Sequence, residues 1–312
     1  MQRLIIDTDP GVDDAHAIML ALRYPDVQVE AILTVSGNVG IDYTTANAQI
    51  VLDLMKADVP VYRGCAGPLM HRPGSDASSI HGSDGLGDMW FPPSSRKAEP
   101  EPASQALVRL ANAEPGEFTL VTLGPLTNIA VALKLDPSLP RKIKELVIMG
   151  GAIHADGNTP NLSAEYNIYA DPEAAFIVFN AFPAYTLVSW ETTVANGISP
   201  ETMEKWRAFD TPESRFLFQI TRKVLKFLEE KLSTMVLYAA DVLAMAVALE
   251  PTIVEQAEDH ALFVELSGEH TRGQTVVDWK NRSGKPASAR IVMGVNQNRF
   301  QELAGLPLHN QP

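Results

Sequence analysis

An open, mostly parallel α/β sheet with helices on both faces is the fold this sequence predicts, and three observations predict it. Short aliphatic and β-branched runs alternate with longer helical patterns, which means βαβ units and parallel strands. Apolar residues make up 46% of the 312, an ordinary share for a chain that can bury a sizeable core. The most acidic turn falls where the first apolar run gives way to the first helical pattern. In open α/β sheets, ligands bind at that end of the strands.

Leu4-Ile5-Ile6 reads as a buried strand, and Asp13 to Leu22, rich in Ala, Ile, Met and Leu, as the helix after it. Val27 to Val35 is a strand, Thr44 to Lys56 a helix and Val59 to Tyr62 a strand. Phe118 to Leu123 leads into a helix from Leu126 to Leu135, and Glu145 to Met149 is a further strand. Asp171-Pro172-Glu173 opens a helix to Asn180, with proline in the first turn where its missing N–H does no harm. Tyr185 to Ser189 is strand again. Leu262 to Leu266, Thr275 to Trp279 and Arg290 to Val295 read as a small antiparallel addition to this Rossmann-like sheet.

Two regions break the alternation. Gly64 to Pro102 is a long irregular stretch rich in Gly, Pro and Ser, and loops of that length in a compact domain are usually functional or mobile. Pro200 to Leu232 is strongly helical, with Phe216, Ile220, Val224, Phe227 and Leu228 on one face. That stripe reads as core or subunit contact, with a lid over a pocket as the alternative. No repeat, low-complexity segment or linker divides the chain, so residues 1–312 are expected to form a single domain.

Composition narrows the partners. Lys+Arg 25 against Asp+Glu 38 gives a net charge of −13, with no basic footprint for a nucleic acid or an anionic membrane. The single cysteine, Cys65, excludes an internal disulfide and a Cys-rich zinc site. The chain lacks a run of about 18 apolar residues and a signal-peptide pattern after Met1-Gln2-Arg3. A cytoplasmic protein acting on a small molecule is the expectation.

Asp7-Thr8-Asp9-Pro10-Gly11-Val12-Asp13-Asp14 puts four carboxylates within eight residues. Acidic residues at a helix start are stabilised by capping and the dipole by a fraction of a kcal/mol to about one each. That accounts for Asp13 or Asp14 but not for Asp7 and Asp9 as well. Clustered carboxylates suit a hard, oxygen-seeking cation, Ca²⁺ or Mg²⁺.

An Asp-x-Asp after the first strand resembles two families. In a Mg²⁺-dependent phosphotransferase of the haloacid-dehalogenase type, Asp7 would be the nucleophile, but that motif continues differently from Pro10-Gly11. The run from Asp7 to Ala15 is closer to the N-terminal signature of the nucleoside hydrolases, the inosine-uridine-preferring family. The likeness continues through Ser36-Gly37-Asn38 with Asn47, His81-Gly82 with Gly85-Leu86-Gly87, and Leu123-Gly124-Pro125-Leu126-Thr127-Asn128. Further on come Met149-Gly150-Gly151, Gly157-Asn158 and Ala164-Glu165-Tyr166-Asn167, ahead of Asp171-Pro172-Glu173.

Carried over by position, the resemblance implies a Ca²⁺ held by Asp9, Asp14, the backbone carbonyl of Leu123 and Asp241. With a water and two sugar hydroxyls, that set falls within calcium's usual coordination of about 6–8. The implied reaction is hydrolysis of a ribonucleoside N-glycosidic bond, with Asp9 as general base toward the attacking water. Asn38 would lie near the reacting centre, and Asp13, Glu165 and Asn167 on the ribose. His81 would also meet substrate, as would Asn158, or Asn161 in its place because the spacing to Glu165 is one residue longer than the pattern. Taken alone, Asp241 reads as a helix N-cap, and Glu165 and Asn167 as surface polar residues. Many members carry His before the last aspartate to protonate the leaving base; here Ala240 stands there. Tyr238, His81, Trp190 and Trp90 are candidate substitutes, each with a structural role as its simpler reading. The family also implies a homodimer or homotetramer. Two alternatives stay open: a catalytically weak nucleoside- or ribose-binding protein with the same calcium pocket, and the phosphatase using Asp7.

Overall fold

The computed structural model describes residues 1–70 and 77–309. The first half of the chain runs β1 (Gln2–Thr8), α1 (Val12–Arg23), β2 (Val27–Thr34), α2 (Ile41–Met55) and β3 (Val61–Arg63). A short helix α3 (Ser78–His81), α4 (Ala103–Ala113), β4 (Phe118–Thr122), α5 (Thr127–Leu135) and β5 (Glu145–Met149) follow. Then come α6 (Tyr166–Ala170), α7 (Pro172–Ala181), β6 (Tyr185–Val188), α8 (Trp190–Ala195), α9 (Pro200–Arg207) and α10 (Pro212–Leu232). The chain ends with α11 (Ala240–Leu249), β7 (Val254–His260), β8 (Leu262–Val264), β9 (Thr275–Val277), β10 (Ala289–Val295) and α12 (Gln297–Gly305).

The main sheet has eight strands in the order β3-β2-β1-β4-β5-β6-β10-β7. Pairing is parallel from β3 through to β10, and only the edge strand β7 runs antiparallel. Side chains alternate between faces, as a period of two requires. Leu4, Ile6, Ile32 and Val121 join a core with α1, α10, α11 and α12 on one face. Ile5, Leu33, Leu120 and Phe118 join a second core with α4, α5 and α7 on the other. Each fully buried side chain of this kind contributes about 1.5–3 kcal/mol of hydrophobic stabilisation.

The late strands divide differently from the grouping read in the sequence. β8 and β9 pair only with each other, in a separate antiparallel two-stranded sheet. β10 enters the main sheet parallel to β6 and carries β7 on its outer side. β7, Val-Glu-Gln-Ala-Glu-Asp-His, is half-exposed and mostly polar, so it lacks the apolar signal of a central strand. The helical stretch Pro200 to Leu232 is two helices, because Ser199 and Thr211 each cap a proline-led first turn. In the long irregular stretch, α3 and an isolated bridge between Tyr62 and Glu99 are the regular pieces among the described residues; residues 71–76 lie outside them. Among the described residues no helix is long and apolar enough to cross a membrane.

Candidate active site

Strand order reverses between β1 and β4, so a crevice opens beyond their carboxyl ends. The two ends lie level: Asp7 pairs with Thr122, and the Leu123 N–H donates to the Asp7 carbonyl at 2.7 Å. The chain leaving β1 turns through Asp9-Pro10-Gly11 into α1, and Asp14 organises that turn. Its carboxylate accepts from the Thr8 hydroxyl, from the N–H groups of Asp9 (3.3 Å) and Gly11 (3.0 Å), and from the Asn38 side chain (3.0 Å). Asn38 also donates its backbone N–H to Asp9 Oδ2 at 2.7 Å. A Cβ on Gly37 would lie 2.0 Å from Asp9 Oδ2, and one on Gly124 2.5 Å from Asp9 Oδ1; only glycine lets both loops close on this carboxylate. Asn47 donates to the carbonyls of Pro10 (2.9 Å) and Asp84 (2.8 Å), tying the turn to the loop that carries His81.

Acidic groups converge from both ends of the chain. Asp13, Asp14 and Asp241 each offer an oxygen within 4.8 Å of the others, the one such group among the described residues. Asp13 accepts backbone N–H bonds from Ala240 and Asp241 at the start of α11, so the positive ends of α1 and α11 meet at this cluster. Asp9 stands beside the trio and is coupled to it by charge. Burial, reinforced by the neighbouring carboxylates, holds Asp9 and Asp241 well above the usual carboxylate range. Asp9 Oδ1 is buried without a hydrogen-bond partner. An all-oxygen set of mutually repelling carboxylates with an orphaned oxygen fits a hard divalent cation, which removes the cost of burying like charges.

A cavity of about 450 Å³ opens over this floor. Its polar end includes Asp13, Asn38, Asn158, Glu165, Asn167 and Asp241. Glu165 caps α6: it accepts from the N–H groups of Asn167 (2.8 Å), Ile168 (3.3 Å) and Gly151 (2.9 Å). Burial nevertheless pushes its carboxyl up to about 7. The Asn167 side chain donates to the Leu123 carbonyl at 2.7 Å, whose second lone pair remains for another partner. His81 accepts the Val12 N–H on Nδ1 at 3.1 Å, and burial pulls its pKa down to about 4, so it is neutral. The other end of the cavity is apolar. Val224, Phe227, Leu228 and Leu232 of α10 face Trp190 and Tyr238, whose rings meet edge-on at 5.9 Å.

The structure gathers Asp9, Asp13, Asp14, Asn38, His81, Leu123, Asn158, Glu165, Asn167 and Asp241 around one crevice. Asn161 is not at the cavity; its amide is spent on the Arg272 carbonyl at 2.7 Å and the Thr159 hydroxyl at 2.8 Å, which leaves Asn158 as the amide there. Asp7 is fully buried and bonded to Asn128 at 2.8 Å, its pKa pushed up to about 7 by burial; it stands apart from the acidic cluster, whereas Asp9 interacts by charge with Asp14 and Asp13. Trp90 is 59% exposed and, unlike Trp190 and Tyr238, lies outside the lining. Two features escaped sequence reading. Asp13 belongs to the carboxylate trio within 4.8 Å, and of the α10 stripe Phe227 lines the cavity, Phe216 and Ile220 enter the core, and Val224 and Leu228 do both. Apolar periodicity cannot separate those two uses of one helix face.

Comparison with known proteins agrees with the geometry. The family described as inosine-uridine preferring nucleoside hydrolase matches residues 4–302. The inosine-uridine preferring nucleoside hydrolase of Leishmania major is 36% identical over 304 residues, covering 96% of this chain and 95% of its own. Among solved structures, the plant nucleoside hydrolase PpNRh1 superposes with a TM-score of 0.94 at 31% identity, covering 99% of both chains. The purine-preferring ribonucleoside hydrolase from Gardnerella vaginalis gives 0.90 at 31% identity over 98% of both. A whole-chain match in sequence, joined to a whole-chain match in fold, places this protein in the inosine-uridine preferring nucleoside hydrolase family and makes it an enzyme of that class.

Proposed function

We propose that this chain hydrolyses the N-glycosidic bond of ribonucleosides to ribose and free base, using Ca²⁺ and Asp9 as the base toward the attacking water. The observation that carries the reading is the meeting of Asp13, Asp14 and Asp241 within 4.8 Å at the switch point of the sheet, under a cavity of about 450 Å³. Asp9, Asp14, Asp241 and the Leu123 carbonyl would hold the ion, with Asp13 close enough to compete for the same role. When bound, calcium supplies positive charge that orients a vicinal diol and acidifies a coordinated water.

The chain's own groups do the rest. Asp9 Oδ1 has no donor on it, while the Asn38 N–H holds Oδ2 in place; Oδ1 is therefore the atom that takes the water's proton. Asn158 supplies an amide and Glu165 a carboxylate to ribose hydroxyls, Asn167, whose N–H groups are spent on the Leu123 and Met149 carbonyls, offers its amide oxygen, and Asn38 packs beside the reacting carbon. The surrounding negative charge favours an oxocarbenium-like transition state. Uncharged walls, with Trp190 and Tyr238 at the far end, receive a flat base. No acid stands at Ala240, and a missing general acid typically costs 10²–10⁴-fold, so a binding protein that turns over slowly is the competing reading.

A panel of purine and pyrimidine ribonucleosides, assayed for released ribose with and without a calcium chelator, tests the proposal. Release that the chelator stops and calcium restores is expected. Nucleoside binding without release would favour the binding protein. A phosphomonoesterase activity lost in Asp7→Asn would favour the phosphatase.

A further inference from the structure

Asn158 reaches the cavity from a loop, residues 157–164, that is closed mostly on itself. Gly157 N–H bonds the Leu162 carbonyl at 2.8 Å, Asn158 N–H the Ala164 carbonyl at 3.1 Å, and the Thr159 hydroxyl the Ala164 carbonyl at 2.9 Å. Leu162 sits at φ +70° with 74% of its surface exposed, a left-handed conformation that a non-glycine residue holds only when its surroundings impose it. The restraint comes from the turn between β8 and β9. Asn161 donates to the Arg272 carbonyl at 2.7 Å, and the Ser163 hydroxyl to the His270 carbonyl.

That turn is itself anchored. The buried Arg272 guanidinium grips Glu173, in the first turn of α7, through two bonds of 2.9 and 2.8 Å, and also donates to the Leu266 carbonyl at 2.7 Å. Gly273 adopts φ +82°, and a Cβ there would lie 2.9 Å from the Tyr169 Cα of α6 and 3.4 Å from the Ala164 side chain. The turn therefore presses on the helix that Glu165 caps and on the loop that carries Asn158. Arg272, Glu173, Leu266 and Gly273 themselves lie outside the cavity lining.

We infer that Arg272 is a positioning residue: paired with Glu173, it clamps the β8–β9 turn so that Asn158 and Glu165 are held at the sugar-binding end of the cavity. The inference rests on the proposed nucleoside reading for its kinetic consequence, but not for the clamp itself. Bidentate pairing is what the site demands of arginine, and misplacing a binding group by a fraction of an ångström weakens substrate binding.

The test uses Arg272→Ala, Arg272→Lys and the smaller change Glu173→Gln, which weakens the grip on Arg272 without touching the bonds of the loop and keeps the question open should Arg272→Ala fail to fold. Two readouts are taken: amide hydrogen exchange across residues 157–164, and KM with kcat for nucleosides. Arg272→Ala and Glu173→Gln are expected to speed exchange at Gly157, Asn158 and Ala164 and to raise KM roughly tenfold with kcat within about threefold, the pattern of lost sugar binding rather than lost chemistry. Arg272→Lys should recover part of both. Unchanged exchange overturns the clamp. Faster exchange with unchanged KM overturns its role in positioning. If the unaltered chain releases no ribose, the nucleoside reading fails, and the exchange readout still decides the clamp.

Discussion

Asp9 is 1% exposed, yet one of its oxygens meets no donor. Under the proposed reading, that oxygen is the one that takes the water's proton. Asp9→Asn keeps the shape and removes the basicity, so turnover should fall by at least about 10²; ribose release at near-normal rates would refute the assignment. Cys65 makes a second prediction at this scale. Burial, then the charges of Asp7 and Asp171, push its thiol up to about 11 from an ordinary 9.0. A raised thiol pKa means less thiolate, so at pH 8 Cys65 should alkylate about 100-fold more slowly than an unhindered thiol, with the rate rising tenfold per pH unit until about pH 11. Rapid labelling of this half-buried thiol by iodoacetamide at pH 8 would contradict the raised pKa.

Among the elements, α10 divides its labour along its length. Ile220 is fully buried in the core, while Phe227 lines the cavity and is only partly buried. Ile220→Ala should cost about 2–5 kcal/mol in denaturant unfolding and leave KM near normal. Phe227→Ala should change KM for nucleosides with a much smaller loss of stability. Equal effects of the two on both measurements would show that the helix is simply core. The sequence displays one apolar stripe for both tasks because the side chains that fill a core and those that wall a binding cavity have the same chemistry. β1 and α1 were legible for the opposite reason: the strand, the turn and the four carboxylates are consecutive in the chain, so their juxtaposition needs no tertiary information. β7 was missed because an edge strand can be polar on most of its length, as this one is.

For the molecule as a whole, the carboxylates of Asp13, Asp14 and Asp241 come from opposite ends of the chain and repel one another in the folded state alone. A cation that binds the native chain and not the unfolded one stabilises it by about 2.7 kcal/mol at a hundredfold excess over Kd. Calcium should therefore raise the melting temperature, a chelator should lower it, and Asp241→Ala should abolish most of the difference. Identical melting curves with and without calcium would argue against an ion at this site.

Some of the site was readable before any coordinates. The acidic turn, the βαβ alternation and the order of the motif blocks are properties of neighbouring residues, and neighbours stay neighbours when a chain folds. Other features had no local trace. Which carboxylates stand closest depends on how the start of α1 meets the start of α11; which of Asn158 and Asn161 reaches the cavity depends on the turn of β8–β9 that captures the latter. Helix crossings and loop docking are settled by packing between segments far apart in sequence, and that packing exists only in three dimensions.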